Sequence, residues 1–272
     1  WSVGLSSKEV GALENTETFK VDVSDKAGNP ADQVSKNLVV DTSSPAVAIT
    51  AITTDTGSSS SDGITKNTTL VISGTAETGS TVQLQLAGVD VGSAVTASGG
   101  AWTYASASYT AGSHTFTAVA TDASGNTTTS ADYNVTIDTG TPGTPVITGI
   151  SNDTGVVGDK ITSDKTLTIT GTAEAGSSVV VKLGSAAQTA VTADSSGNWS
   201  YSHGPELSAG SHSFTAISTD AAGNESSPSS AYVVTVDFTK PDVTIDDIAG
   251  DNKLNASEAA GPLVVSGTTT AE

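Results

Sequence analysis

Apolar and polar residues alternate through most of the chain, and this period of two is typical of strands that bury one face. In the segment TFKVDVSD, Phe19, Val21 and Val23 alternate with polar residues. No segment has a convincing helical period, so the pattern predicts an all-β protein. The same alternation recurs in two later blocks. The first block contains Leu70 and Ile72, Val82, Leu84 and Leu86, Trp102 and Tyr104, Phe116 and Ala118, and Tyr133, Val135 and Ile137. The second block contains Leu167 and Ile169, Val179, Val181 and Leu183, Trp199 and Tyr201, Phe214 and Ala216, and Tyr232, Val234 and Val236.

Three short motifs recur with one common spacing, which identifies an internal repeat. The turn written SDKAGN, TDASGN or TDAAGN and the strand end written VVDTSSP, TIDTGTP or TVDFTKP both recur at intervals of 97 to 99 residues. A third motif reads SGTAETGS, TGTAEAGS and SGTTTAE. The marker residues are Asp25, Asp122 and Asp220 for the turn, Asp41, Asp138 and Asp237 for the strand end, and Gly74, Gly171 and Gly267 for the third motif.

About seven short strands in each period of roughly 100 residues predict tandem Ig-like β-sandwiches. We expect part of a repeat at 1–43, complete repeats at 44–140 and 141–239, and the beginning of another at 240–272. Each linker runs from a marker aspartate to a proline, which restricts the backbone. The sequence therefore predicts an extended rod, with about 30 to 40 Å added by each repeat.

The two terminal pieces lack the strands needed to close a sandwich, so neither is expected to be stable alone. Residues 1–43 begin at the strand of Trp1, and residues 240–272 stop near the third motif. Two interpretations remain open. The chain is an excerpt of a longer repeat protein, or the end pieces complement each other between neighbouring chains.

Charge narrows the classes of partner. The formal net charge is −19, and there is no cysteine. Phosphate would be repelled, so nucleic acid is excluded as a partner, and an anionic membrane surface is disfavoured. No apolar run approaches the roughly 18 residues of a membrane-spanning helix, so no membrane insertion is expected. Thiolate metal sites and disulfides are also excluded.

The recurring acids predict a calcium (Ca2+) site at each junction. In an Ig-like sandwich, the turn before the last strand and the GTAE turn lie at the pole that faces the preceding linker, so their carboxylates should converge on the linker aspartate. Clustered carboxylates repel unless a cation neutralises them, and calcium takes six to eight oxygen ligands. The alternative is that the turn aspartates are ordinary turn residues and the others are solvated. The candidate ligands are Asp25, Asp41, Glu77, Asp122, Asp138, Glu174, Asp220 and Asp237.

A second set of acids follows the first strand of each repeat and could add ligands near the next linker. The segments read TDTGSSSSDGIT, NDTGVVGDKIT and DDIAGDNKLNASE. The last of these resembles an oxygen-rich calcium loop but lacks the spacing of an EF-hand. The alternative is a polar turn-rich loop. The candidates are Asp55 and Asp62, Asp153 and Asp159, and Asp246, Asp247 and Asp251, with Asn255 and Glu258 nearby.

Taken together, VTIDTGTP, TDASGN, ISGTAETGSTV and GNWSY resemble the bacterial Ig-like repeats of giant surface adhesins. This resemblance implies a secreted stalk, exported by a type I system, that acts in cell adhesion or biofilm formation at the bacterial cell surface. Calcium would stiffen the junctions between neighbouring repeats, and a receptor on a host or surface would be bound elsewhere in the full-length protein. The extra residues in SGTTTAE place a ligand role for Glu272 in doubt.

Three other functions compete with a spacer. An enzyme is disfavoured because no catalytic motif is recognisable, and because His114 and His212 occupy one repeat position, as structural residues do. A carbohydrate-binding module would use exposed aromatic platforms, whereas Trp1, Trp102 and Trp199 recur at one strand position that suits a core. The exposed threonine rows that an ice-binding module could use occur on most β-sandwiches rich in threonine. A self-associating extracellular filament would require that the end pieces complete a sandwich, and the repeat spacing leaves them a strand or two short.

Overall fold

A computed structural model describes residues 15–270 of the 272-residue chain. These residues form two compact units. The first unit contains the described residues up to Pro142 together with the turn Thr219–Glu225, and the second contains Gly143–Ser218 and the residues from Ser226 onward. The positions of Trp1 and Glu272, to which the sequence analysis assigned a strand and a doubtful ligand role, lie outside the described residues.

The first unit begins with an exposed antiparallel pair of strands, β1 (Asn15–Val21) and β2 (Val34–Val40). Their connection carries the first D-x-x-G-N turn, in which Gly28 has a φ of 86°. Phe19 and Leu38 remain more than 40% exposed. Within the part of the chain that the structure describes, this pair therefore has apolar side chains but no second sheet to bury them.

A two-sheet sandwich completes the first unit. One sheet has the order β3-β5-β9, and the other has the order β4-β12-β10-β6-β7, with β11 beside β10 and β8 beside β6. Strand β4 pairs in parallel with β12, whereas the other pairs are antiparallel. The strands are β3 (Val47–Thr53), β4 (Ile64–Thr65), β5 (Thr69–Ala76), β6 (Thr81–Leu86), β7 (Val89–Asp90), β8 (Val95–Thr96), β9 (Ala101–Ser108), β10 (Gly112–Thr121), β11 (Thr127–Thr129) and β12 (Tyr133–Ile137).

The second unit repeats this topology. Its sheets have the orders β13-β15-β19 and β14-β21-β20-β16-β17, with β18 beside β16. A single bridge, Thr219 to Glu225, stands where the first sandwich has strand β11. The strands are β13 (Val146–Ile150), β14 (Ile161–Thr162), β15 (Thr168–Thr172), β16 (Ser178–Leu183), β17 (Ala186–Ala187), β18 (Val191–Thr192), β19 (Asn198–Ser202), β20 (Gly210–Thr219) and β21 (Tyr232–Val236).

The last described segment contains an exposed pair of antiparallel strands, β22 (Val243–Ile245) and β23 (Gly267–Thr269). Two 3-10 turns lie between them, η1 (Ile248–Gly250) and η2 (Glu258–Ala260). No helix in the described part of the chain has the length and apolarity that a membrane crossing requires.

Each sandwich has its own core, and most equivalent core positions carry the same or a similar residue in the two copies. Phe116 and Phe214 are fully buried, and burial of such a side chain contributes about 1.5 to 3 kcal/mol. Trp102 lies against Gly74, where an added Cβ would overlap the indole ring and the Ala48 carbonyl oxygen. The recurring Gly-Trp pair is therefore a packing requirement. The prediction of tandem all-β Ig-like sandwiches is confirmed.

Candidate functional site

The D-x-x-G-N turn is held together by its first and last residues. In the copy at 121–126, Asp122 Oδ1 accepts hydrogen bonds from the backbone N–H groups of Ser124 (2.8 Å) and Asn126 (2.9 Å). Asp122 Oδ2 accepts a third from Asn126 Nδ2 at 2.8 Å. Gly125 supplies the positive φ, 93°, that closes the turn. The aspartate is thus a structural acceptor, as the turn-residue alternative predicts.

The other copies are built in the same way. Asp220 accepts from the backbone N–H and from Nδ2 of Asn224, both at 2.9 Å. Asp25 accepts from the corresponding groups of Asn29 at 2.9 and 2.8 Å. A fourth copy, DSSGN at Asp194, lies between β18 and β19 and was not identified in the sequence analysis. A search of the sequence for the D-x-x-G-N pattern would have identified this copy, because its sequence matches that of the other three turns.

These hydrogen bonds stabilise the charged form of the turn aspartates. Hydrogen bonds from the Asn126 side chain and from backbone N–H groups hold the pKa of Asp122 below its ordinary value of 3.8, although desolvation acts in the opposite direction and raises it. The Asn29 side chain likewise lowers the pKa of Asp25. At Asp194 the backbone N–H of Asn198 is the main cause of the lowered pKa. These carboxylates are therefore ionised at neutral pH and already bonded.

The turn at 121–126 contacts the linker aspartate Asp41. Asn126 Nδ2 donates to the Asp41 carbonyl oxygen at 3.1 Å, and Ser124 Oγ donates to Asp41 Oδ2 at 3.4 Å. Asp41 Oδ1 accepts from the Ser43 backbone N–H at 3.0 Å, which fixes the start of the linker. The structure therefore brings Asp41 and the Asp122 turn together, as the sequence analysis expected.

The same pairing occurs at Asp138, within the first unit. Asn224 Nδ2 donates to the Asp138 carbonyl oxygen at 2.9 Å, and Asp138 Oδ1 accepts from the Gly140 backbone N–H at 2.8 Å. The residue that reaches the linker is the asparagine and not the aspartate of the motif. Asn126 and Asn224 were not among the residues predicted from the sequence, although both occupy the last position of the recurring D-x-x-G-N motif.

The two glutamates of the GTAE turns take part through their backbones. The Glu77 carbonyl oxygen accepts from Ser80 N (3.1 Å) and Oγ (2.7 Å), and the Glu174 carbonyl oxygen accepts from Ser177 at the same two distances. Both glutamates are exposed. The structure gives their carboxylates no hydrogen-bond partner among the described residues.

The loops that follow the first strand of each sandwich carry a carboxylate with one unsatisfied oxygen. Asp55 Oδ2 accepts from the Gly63 backbone N–H at 3.0 Å, and Asp153 Oδ2 accepts from Gly158 N at 2.7 Å. In both residues the other oxygen, Oδ1, is buried and has no hydrogen-bond partner within the described structure. An unpaired carboxylate oxygen away from water is costly, so this arrangement favours a cationic partner.

Two tyrosines report the charge of these carboxylates. The pKa of Tyr133 is raised by burial first and by the negative charge of Asp55 second. The pKa of Tyr232 is raised by burial and then by Asp153. Because Coulomb interactions fall with distance, each tyrosine is an internal probe of its aspartate.

The remaining acids of these loops are bonded locally. Asp62 Oδ1 accepts from Ile64 N, and Asp159 Oδ1 accepts from Ile161 N, both at 2.9 Å. Asp159 and the linker residue Asp237 line one cavity of about 330 Å³ in the second unit. The backbone N–H and hydroxyl of Thr239 lower the pKa of Asp237.

The acids near the C-terminus lie in an exposed segment. Asp246 Oδ2 accepts from Ser266 Oγ at 2.8 Å, and Asp247 Oδ1 accepts from Asn252 Nδ2 at 2.7 Å. Asp251 Oδ1 accepts from the Lys253 backbone N–H at 3.0 Å. Each of these side chains has its own hydrogen-bond partner, and the described structure does not bring the three carboxylates into one group.

The candidate ligands suit calcium in chemistry, because all of them offer oxygen. In residues 15–270, however, no three Asp, Glu, His or Cys side chains lie close enough together to hold a metal ion. The expected convergence of Asp41, Asp122 and Glu77 is present only as the contact between Asp41 and the Asp122 turn. Main-chain carbonyls and water would have to supply further ligands. The unpartnered Oδ1 atoms of Asp55 and Asp153 are the observation that fits a cation.

The first loop, residues 54–66, also holds the turn Thr219–Glu225 inside the first unit. Thr56 Oγ1 donates to the Ala222 carbonyl oxygen at 2.7 Å, and Lys66 Nζ donates to the Gly223 carbonyl oxygen at 2.6 Å. A Cβ on Gly57 would overlap the Ala221 carbonyl oxygen. This loop is therefore a polar docking surface for a D-x-x-G-N turn.

The aromatic and imidazole side chains have structural roles. Trp102 and Trp199 are each 3% exposed, which fits a core position and not a sugar-binding platform. His114 Nε2 donates to the Thr110 carbonyl oxygen, and His212 Nε2 donates to the Ser208 carbonyl oxygen, both at 2.8 Å. The two copied histidines thus anchor the start of equivalent strands.

A family profile described as bacterial Ig-like domain matches residues 43–139 and 142–238. Among solved structures, a 1.5-MDa bacterial ice-binding adhesin is 20% identical, with 87% of this chain and 78% of that one covered and a TM-score of 0.38. A tetra-tandem repeat from the extending region of a large adhesion protein is 20% identical, with 96% and 72% covered and a TM-score of 0.30.

The fibronectin(III)-like modules of Clostridium thermocellum CbhA are 16% identical to the chain. The comparison covers 64% of this chain and 87% of that one, with a TM-score of 0.40. None of the curated proteins matches the chain.

Proposed function

Because the chain belongs to the bacterial Ig-like domain family, with two tandem copies across most of its length, we propose that it is a calcium-stiffened spacer segment of a bacterial cell-surface adhesin. The spacer has no catalytic role and acts mechanically, by holding a receptor-binding region away from the cell. It serves adhesion or biofilm formation in the extracellular space.

One observation carries the calcium part of the proposal. Asp55 Oδ1 and Asp153 Oδ1 occupy the same repeat position, and each is buried without a hydrogen-bond partner. A buried carboxylate oxygen loses water and needs a cation or a donor in its place. The same deficit in two independent copies of the loop argues for a shared ligand and against an accident of local packing.

The residues that would hold calcium belong to the loops and the linkers. Asp55 and Asp153 offer the unsatisfied oxygens, and Asp138 and Asp237 are the linker carboxylates of the corresponding repeats. A bound cation would neutralise charge there in a chain whose formal charge is −19. The turn aspartates keep the role of holding their own turns, because N–H groups already occupy both of their oxygens.

Extracellular modules bind calcium with Kd values of about 10⁻⁴ to 10⁻³ M. We expect the same weak range here, so that the sites fill outside the cell. Neighbouring Ig-like repeats of the same chain are the immediate partners, and a receptor would be bound by another part of the full-length protein.

Calorimetric titration with calcium tests this proposal. The chain should bind calcium, and the double variant D55N/D153N should lose most of the binding. A matched control, D90N/D132N, removes the same two charges from exposed positions outside the candidate set and should bind as the unaltered chain does. Equal titration curves for the two double variants would assign any binding to net charge alone.

Binding to the folded state alone also raises the melting temperature by mass action. The unaltered chain and D90N/D132N should melt at a higher temperature in calcium than in chelator. D55N/D153N should show a much smaller difference. If chelator leaves the melting temperature of the unaltered chain unchanged, calcium has no place in the spacer.

A further inference from the structure

The second loop, residues 152–163, forms a cavity of about 330 Å³ together with Asp237. We propose that this cavity is a docking site for a D-x-x-G-N turn carried by a further Ig-like repeat. The inference rests on the tandem arrangement in the proposed function but requires neither calcium nor adhesion.

The second loop has the framework of the first loop. Thr162 Oγ1 donates to the Asn152 carbonyl oxygen at 2.6 Å, and Thr154 Oγ1 accepts from the Ser163 backbone N–H at 2.8 Å. In the first loop, the threonines at the same repeat positions make the corresponding hydrogen bonds at 2.9 Å. Both loops are therefore held open by the same internal contacts.

The linker aspartate is also placed in the same way. Asp237 N donates to the Thr162 carbonyl oxygen at 2.8 Å, and Asp138 N donates to the Thr65 carbonyl oxygen at 2.9 Å. Asp237 Oδ1 accepts from the Thr239 backbone N–H at 2.8 Å, as Asp138 Oδ1 does from Gly140. The Asp237 carbonyl oxygen thus stands at the position where Asp138 accepts from Asn224.

The occupant of the first loop identifies the ligand of the second. The turn Thr219–Glu225 presents two backbone carbonyl oxygens to Thr56 and Lys66, and the Asn224 amide to Asp138. Its residue Ala222 is 1% exposed. The complementary features in the second loop are the Thr154 hydroxyl and the Asp237 carbonyl oxygen. Ser163 stands where the first loop has Lys66, so the lysine contact has no charged counterpart.

The cavity combines polar lining residues with the apolar side chains of Val156 and Ile161, and exposed apolar residues also follow Val156 and Asp237 in the sequence. Val156 and Val157 are 71% and 83% exposed, and Phe238 is 43% exposed. Small apolar residues at the two variable positions of the D-x-x-G-N turn, such as the two alanines of TDAAGN, would cover part of this surface. A D-x-x-G-N turn therefore suits the cavity in hydrogen bonding and in packing.

Two glycines make the test sharp. Gly57 has a φ of 102° and Gly155 a φ of 79°, so alanine is strained at both positions. A Cβ at Gly57 would also overlap the docked turn, whereas a Cβ at Gly155 meets nothing within 4 Å. G57A therefore introduces both backbone strain and a clash with the docked turn. G155A introduces backbone strain alone, and it would add a clash only if a turn docks against the second loop.

The experiment compares the chain with an extended protein, in which residues 1–241 are followed by another copy of residues 143–272. Melting temperatures are measured for both proteins in excess chelator, with and without G155A. In the extended protein, G155A is introduced only in the first copy of the second loop. G155A should lower the melting temperature of the extended protein by at least about 4 °C more than that of the original chain. NMR should show the Gly155 and Thr154 backbone amide resonances shifted by the extension.

An equal effect of G155A in the two proteins, with unshifted amide resonances, would overturn the inference. A concentration-dependent dimer of the original chain that G155A abolishes would assign the cavity to a second copy and would also overturn it. Because the melts contain chelator, either failure is distinguishable from failure of the calcium proposal.

Discussion

The turns at 121–126 and 219–224 have nearly the same sequence and the same internal hydrogen bonds, but they differ in burial. Asp220 and Asn224 are 7% and 9% exposed, and Ala222 is 1% exposed. In the turn at 121–126, Ala123, Ser124 and Gly125 are all exposed. The difference comes from the first loop, residues 54–66, which covers the turn at 219–224.

This difference separates two roles of one motif. Its local role is to close a turn, through hydrogen bonds from the asparagine to the aspartate. Its second role is to dock, and this role appears where another segment offers an acceptor and a hydroxyl. The motif alone encodes the first role, and its surroundings decide the second.

The largest effect should separate Asn224→Ala from Asn126→Ala. Asn224→Ala removes hydrogen bonds to Asp138 and Asp220 and leaves the buried Asp220 carboxylate short of a donor, which costs about 1 to 3 kcal/mol. Asn126 makes equivalent bonds in a more exposed turn, so its loss should cost about 0.5 to 1.5 kcal/mol. Urea unfolding of both variants measures the two costs, and equal costs would remove the distinction between the turns.

A smaller difference should separate Thr56→Val from Thr154→Val. Both threonines accept a backbone N–H and contact the hydroxyl of another threonine within their own loop, and Thr56 also donates to the Ala222 carbonyl oxygen. The difference between the two variants therefore reports the docking hydrogen bond, about 0.5 to 1.5 kcal/mol. It is measured by urea unfolding. Equal destabilisation would mean that this contact adds nothing to stability.

Acid titration extends the comparison to the copy at Asp194. The pKa of Asp122 lies below 3.8 mainly because of the Asn126 side chain, whereas that of Asp194 depends mainly on backbone N–H groups. Asn126→Ala should therefore raise the pKa of its aspartate more than Asn198→Ala does, which NMR of the carboxyl carbons measures.

The sign of the pH dependence follows from the lowered pKa values. A carboxylate whose pKa is depressed by folding stabilises the folded state above its unfolded pKa, and this contribution is lost as the pH falls through the folded value. We expect the turn contribution to be complete above about pH 4 and to disappear below it. If Asn126→Ala changes the free energy of unfolding equally above and below about pH 4, the hydrogen bond from the Asn126 side chain is not what lowers the pKa of Asp122.

The smallest effect compares the two loops through their tyrosines. Asp55→Asn should lower the pKa of Tyr133, and Asp153→Asn should lower that of Tyr232, because each removes a nearby negative charge. Calcium should lower both values in the unaltered chain. Ultraviolet absorbance of tyrosinate, with Tyr133→Phe and Tyr232→Phe to assign the signals, measures these shifts. Shifts in the variants but none with calcium would place the cation elsewhere.

Much of the fold was predictable from the sequence. The alternation around Phe116 and Phe214 and the spacing of the recurring motifs predict strands and tandem sandwiches, since strand burial follows from a local period. The burial of Trp102 and Trp199 was also expected from their strand position. The fourth turn, at Asp194, was not predicted, although the sequence there contains the D-x-x-G-N motif.

The candidate site was predictable only in part. The pairing of Asp41 with the Asp122 turn followed from the geometry of an Ig-like sandwich. The donation by Asn126 and Asn224 did not, because a carboxylate was expected to make the contact. The unsatisfied oxygens of Asp55 and Asp153 depend on packing by residues distant in sequence, and no local pattern reports them.

The most direct test of the proposed spacer is small-angle X-ray scattering of the chain in calcium and in excess chelator, with D55N/D153N as the insensitive reference. If calcium stiffens the junctions, the unaltered chain should show a narrower distribution of dimensions in calcium and a broader one in chelator, and the double variant should resemble the chelated chain in both. Superimposable curves for the unaltered chain in the two conditions would contradict calcium stiffening.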